Sequence, residues 1–128
     1  MSRPFYQNFN VSKELIKEAF EILDYVILNI GKEAISIGTN ETTKKIESGK
    51  AKFVYIAKDT YPPEIVAHLP LLCDEKGILY IFVPNKKDLA IHCGSDIPYA
   101  SVSILELGDA KERLEGLKDK IYKIRGKI

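Results

Sequence analysis

The sequence predicts an α/β protein, a three-layer α-β-α sandwich around a central mixed sheet of about four strands. Three observations carry that expectation. Segments with apolar residues at helical spacing alternate with short apolar runs along the 128 residues. Two of those runs, FVYIA at 53–57 and ILYIFV at 78–83, are apolar at every position, as strands are when both faces of their sheet are covered. The composition, 45% apolar and 29% charged, belongs to a globular chain that buries one core. Residues 1–128 therefore read as one domain, with residues 1–10 as an N-terminal arm.

Ser12 can cap a first helix that runs to about residue 30, because Leu15, Ile16, Ala19, Phe20, Leu23, Val26, Ile27 and Ile30 share one stripe. Gly31 ends it. A short strand over 34–37 leads into GTNETTKK at 38–45, where a second helix spans about 40–48 and stops at Gly49. After the strand at 53–57, Pro62 and Pro63 open a helix that continues through EIVAHLPLLCDEKG with a bend at Pro70. The strand at 78–83 follows, and Asn85 caps a short helix reaching about Cys93. A last strand covers 100–107. Asp109 then caps a terminal helix whose Leu114, Leu117, Ile121 and Ile124 face inward. Ligands of such sheets sit beyond strand ends, so the connections 38–41, 58–63 and 94–100 form the candidate site.

The net charge of +1 leaves no global basic field, which argues against general binding of long nucleic acid. Any nucleic-acid partner must be drawn by a local group of lysines. Cys73 and Cys93, the two cysteines, suit a reduced, intracellular protein rather than a disulfide framework. The first ten residues lack the apolar core of a secretory signal, and no apolar run reaches the roughly 18 residues of a membrane span. A cytoplasmic protein without membrane contact is expected.

Several chemistries find no footing. Gly49-Lys50 resembles the end of a phosphate-binding loop, but Lys44 stands where the first glycine is needed and Ala51 where Ser or Thr is needed. No G-x-G-x-x-G occurs. His68, His92, Cys73 and Cys93 lack metal-ligand spacing, and His68 reads as a core residue on an apolar helix face. A Cys93 nucleophile with a histidine base is positioned by nothing in the sequence, and G-x-S-x-G is absent. Asp59, Glu41 and Lys44 could meet in one cleft, yet the reading is of a protein that is not an enzyme and takes no metal or cofactor.

GTNETTKK carries more chemistry than a connection requires. Gly38 lets the backbone approach a ligand, and a helix starting at Thr39 or Asn40 turns unpaired amides outward, ready for a phosphate. Asn40 with Lys44, and Glu41 with Lys45, are four apart and share faces. An Asn amide reads a base edge in two directions, a Lys donates to guanine and a Glu accepts from an amino group. A capped helix with an i,i+4 ion pair accounts for the same residues equally well. The loop GSDIPYAS at 94–101 places Ile97, Pro98 and Tyr99 where connections are normally polar. It either folds back on the core or forms an apolar lid over an unstacked base. Lys86 and Lys87 could add phosphate contacts. The lysine-rich terminal helix is interleaved with acids and reads as a solvated face.

GTNETTK at 38–44, DTYPPEIVAHLPLLCDEK at 59–76, VPNKKDL at 83–89 and ASVSI at 100–104 resemble the ribosomal L-seven-Ae family of kink-turn RNA-binding proteins, with the archaeal member the nearest likeness. The resemblance covers nearly the whole chain after residue 5 and implies an α-β-α sandwich. It implies a protein that is monomeric when free and binds kink-turn RNA: ribosomal RNA, box C/D and box H/ACA guide RNAs, and ribonuclease P RNA. Its protein partners would be those of the large ribosomal subunit or of guide-RNA particles. Carried onto this chain, Gly38, Thr39, Asn40, Glu41 and Lys44 would recognise the sheared G·A pairs and adjoining backbone. Ile65, Lys86, Lys87 and the lid (Ser95, Ile97, Pro98, Tyr99 and Ala100) would surround the flipped-out nucleotide. The chain departs from the family pattern at Ser36, Ile37, Lys58, Tyr61 and Tyr99, and in LAIHCG before the lid. Those departures leave an alternative, a diverged paralogue acting mainly as a protein-interaction module.

Overall fold

The computed structural model describes residues 13–126. The proposed N-terminal arm and the Ser12 cap lie outside the described residues. Four strands form one mixed sheet: β1 (Ile35–Ile37), β2 (Phe53–Ala57), β3 (Leu79–Val83) and β4 (Ser101–Ile104), in the order β1-β4-β2-β3. β2 and β3 are parallel, with Phe53 opposite Leu79 and Ala57 opposite Val83, while β4 runs antiparallel to both β1 and β2. The helices are α1 (Lys13–Asn29), α2 (Thr39–Glu47), α3 (His68–Lys76), α4 (Lys86–His92) and α5 (Lys111–Gly126). The expected α/β architecture with a four-stranded mixed sheet is the one observed.

Why the two apolar strands needed no polar alternation is visible in their faces. Phe53, Tyr55 and Ala57 of β2 and Leu79, Ile81 and Val83 of β3 pack into the larger core, beneath α1, α4 and α5. Their alternate neighbours Val54, Ile56, Tyr80 and Phe82 pack into a second core with Ile46, Leu69 and Cys73 from α2 and α3. A side-chain period of two delivers successive residues to opposite faces, and here both faces are dry. The Tyr55 hydroxyl bonds the Ala19 carbonyl at 2.5 Å and pins α1 to the sheet.

The remaining strand obeys a different rule. In SVSI, Val102 and Ile104 enter the larger core, whereas Ser101 and Ser103 face the other way and are fully buried. Small hydroxyl side chains leave room for α2 to approach this part of the sheet.

Three expectations are corrected in detail. The segment after Pro62 is two helices rather than one bent helix: a 3-10 turn, Pro63–Ile65, then α3 from His68. In a continuous helix the Pro70 ring would meet the Val66 carbonyl. Restarting at His68 moves Pro70 into a first turn, where its missing N–H costs nothing. The last strand ends at Ile104 instead of near 107, where the chain turns off and the Leu105 amide reaches the Ala34 carbonyl at 2.7 Å. Asp109 sits inside a 3-10 turn, Gly108–Ala110, rather than at a helix cap. Leu114, Leu117 and Ile121 are buried and Ile124 packs against the same core, as their spacing predicts.

Candidate functional site

The topology decides where the connections meet. β4 is antiparallel to β1 and β2, and β3 is parallel to β2, so the carboxyl ends of β1, β2 and β3 and the amino end of β4 share one edge of the sheet. The loops following residues 37, 57 and 83 and the loop preceding 101 therefore gather there, 38–41, 58–63 and 94–100 among them. Backbone bonds stitch them together. Gly38 N donates to Ser101 O, Ala57 N to Ala100 O and Lys58 N to Val83 O, each at 2.9 Å.

α2 starts without a side-chain cap. Gly38 holds the N-cap position at φ 96° and ψ 155°, a conformation reserved for glycine, and the first intrahelical bond runs from Thr42 N to Gly38 O at 2.9 Å. The amides of residues 39–41 have no acceptor within the helix, so this end carries unspent donors and the positive end of the helix dipole. Asn40, Glu41 and Lys44 are exposed around it. Lys44 Nζ lies 3.4 Å from Glu41 Oε1, an i,i+3 pair in place of the Glu41–Lys45 pair that spacing suggested. The Thr39 hydroxyl turns inward to Ser101 Oγ at 3.1 Å, so at this point Thr39 offers a ligand its amide rather than its side chain.

The lid is braced by Ser95. Its Oγ accepts from Ile97 N at 3.0 Å and from the Tyr99 hydroxyl at 2.9 Å. Tyr99 is half-buried and packs against the larger core, while Ile97 is 66% exposed and Pro98 is exposed beside it. The aromatic residue of this loop folds back on the core and its aliphatic tip projects. Ile65, 45% exposed, and Tyr61, 85% exposed, add apolar surface from the 58–65 connection.

α4 delivers Lys86, half-buried, and Lys87, exposed. Its start is capped twice, since Asn85 Oδ1 accepts from Asp88 N at 2.7 Å and Asp59 Oδ1 accepts from Lys86 N at 2.9 Å. The second bond joins the 58–63 connection to Lys86. Asp59, which from sequence could have shared a cleft with Glu41 and Lys44, has this structural work.

His68 is corrected. It opens α3 and is exposed, with Nε2 2.8 Å from Thr43 Oγ1, because the helix begins at His68 and not at Pro62. Within the 38–44 motif Thr43 was not singled out, nor was His68 as its partner. Only the i,i+4 relation of Thr39 and Thr43 hinted at it.

His92 and Cys93 do not make a reactive pair. His92 stacks on Phe20 at 4.0 Å between centroids, and its Nδ1 lies 2.8 Å from Asp24 Oδ1. Burial pushes the Cys93 thiol up to about 11, outweighing the opposing pull of Lys32, so the thiolate is disfavoured. Cys73 and Cys93 are both buried, and no disulfide joins them. Among the described residues no group of three or more His, Cys, Asp or Glu side chains could hold a metal ion, and no helix is long and apolar enough to cross a membrane.

Residues 27–113, from the last turn of α1 to the start of α5, match the family described as "Ribosomal protein L7Ae/L30e/S12e/Gadd45 family". That span contains all four strands and every loop at the gathered edge. Among solved structures the chain is similar to the Giardia lamblia 15.5kD RNA binding protein, at 31% sequence identity. The likeness covers 96% of this chain and 99% of that one, with a TM-score of 0.84.

Proposed function

The chain belongs to the ribosomal protein L7Ae/L30e/S12e/Gadd45 family, and from that premise we propose that it binds kink-turn RNA as one non-catalytic domain, stabilising the bend and nucleating ribonucleoprotein assembly. Ribosomal RNA, box C/D and box H/ACA guide RNAs and ribonuclease P RNA are the proposed carriers of the motif. One observation supports this reading above the rest. The uncapped start of α2, with Asn40, Glu41 and Lys44 exposed, shares a sheet edge with the projecting apolar side chains of Ile65 and Ile97.

The division of labour follows from that geometry. Amides at 39–41 and the Lys44 ammonium would take backbone phosphate, and Asn40 and Glu41 would read the edges of sheared G·A pairs. Splaying one nucleotide out of the stack exposes a base face, which Ile65, Ile97 and Pro98 can cover. Lys86 and Lys87 would hold the phosphates flanking it. Ser95, Tyr99 and Ala100 shape the lid from within.

The test is a titration of a labelled kink-turn RNA against the same RNA with its G·A pairs replaced by Watson–Crick pairs. Tight binding of the first alone is expected. Asn40→Ala and Glu41→Ala should each cost about 1–3 kcal/mol on the kinked RNA. Lys87→Ala should weaken both RNAs alike and reduce the salt slope by about one. A second reading, a protein-interaction module, draws on Ser36, which is buried, and on Ile37, which leaves β1 without a cation ahead of Gly38. Equal, weak binding of both RNAs would favour it.

A further inference from the structure

The first turn of α2 is held from two sides. On the sheet side Thr39 Oγ1 meets Ser101 Oγ and Gly38 N meets Ser101 O. On the other side the Thr43 hydroxyl donates to the Thr39 carbonyl at 2.7 Å and lies 2.8 Å from His68 Nε2. A hydroxyl has one hydrogen, and Thr43 spends it on Thr39 O. Towards His68 it can only accept, so Nε2 must carry a proton. The chain of donation therefore runs from His68 N–H to Thr43 O–H to the Thr39 carbonyl, ending one residue before Asn40.

We propose that His68 and Thr43 are positioning residues for the RNA site: their hydrogen bond latches the reading helix α2 to α3 and sets its rotation. The inference rests on the RNA-binding reading of the preceding section and deepens it. Ile46 of α2 also shares the smaller core with Leu69 and Cys73 of α3. Such contacts resist separation but are non-directional, so they tolerate a helix that turns or slides. A directional bond on the flank of the helix removes that freedom. Thr43 lies beside Lys44 and three residues beyond Asn40, so a small rotation of α2 would move every proposed reader together. His68 also follows the 3-10 turn that carries Ile65. The latch thus keeps the base-pair readers and the wall of the nucleotide pocket in one frame.

The experiment compares His68→Ala, Thr43→Val, the double variant and His68→Gln, whose amide nitrogen can replace Nε2 as donor. On the kink-turn RNA each single variant should weaken binding about three- to tenfold, the scale of one lost directional contact. The double should lose no more than either single, and His68→Gln should recover most of the loss. Binding to the Watson–Crick control should not change. Additive losses, or a His68→Gln variant no better than His68→Ala, would overturn the latch. A further readout needs no RNA: the imidazole nitrogen shifts of His68 should report the Nε2–H tautomer, and amide exchange at residues 42–44 should quicken in His68→Ala. If the unaltered protein fails to distinguish the two RNAs, the RNA reading falls. These signals then decide the latch separately, with an Nδ1–H tautomer or unchanged exchange counting against it.

Discussion

Replacing Gly38 by alanine isolates the backbone cost of the helix start. The built Cβ would have no heavy atom within 4 Å, so no clash enters the reckoning. What remains is the conformation, φ 96° and ψ 155°, a region that L-residues essentially avoid. Holding a residue there costs on the order of 1–3 kcal/mol. Alanine also restricts the unfolded chain, which returns about 0.4–1 kcal/mol. Taking the middle of each range leaves a net destabilisation of roughly 1.3 kcal/mol. Gly116 supplies the internal control. It lies within α5, its added Cβ also meets nothing within 4 Å, and its φ falls outside the positive range. There the same substitution should stabilise by about 0.5–1 kcal/mol. Urea unfolding reads both: the midpoints should move in opposite directions with unchanged slope. A Gly38→Ala variant as stable as the unaltered protein, or two shifts of the same sign, would refute the assignment of Gly38 as a conformational requirement.

Two further outcomes follow from the structure. Asn85→Ala should cost about 1 kcal/mol in unfolding free energy by removing the acceptor of Asp88 N, while the Asp59 bond to Lys86 N keeps α4 formed; a cost near zero would deny Asn85 its capping role. At high pH the chain should lose stability through its buried acids. Cys93 would ionise near 9.0 in the ordinary thiol but holds its proton to about 11 when folded, so between those values the folded state binds more protons and stability falls as pH rises. The span is worth about 2–3 kcal/mol at 1% exposure, and burial raises Tyr55 well above its usual value, extending the fall. Thermal melts from pH 8 to 10.5 should show a shallower slope for Cys93→Ala; identical slopes would remove Cys93 as the cause.

What sequence alone could settle was whatever depends on neighbours along the chain. FVYIA and ILYIFV declared strands covered on both faces because no position in either run is polar, and β2 and β3 are buried throughout. The stripe from Leu15 to Val26 described the buried face of α1, and Asn85 was legible as a cap from its own residue type and place. The 38–44 motif could be picked out because its side chains are dense in donors and acceptors within one turn.

Tertiary structure decided the rest, because it concerned partners far apart in sequence. That β4 inserts between β1 and β2, and so brings four loops to one edge, is written in no local pattern. Ser101 and Ser103 resemble a solvent face by polarity and are buried because α2 covers them. The bond between Thr43 and His68 joins residues 25 positions apart, and it exists only because α3 restarts after Val66 to accommodate Pro70. Local propensity and periodicity act over a helical turn or a strand, so they determined the elements of this protein. The order, approach and rotation of those elements came from which faces could be buried together, and only the folded chain decides that.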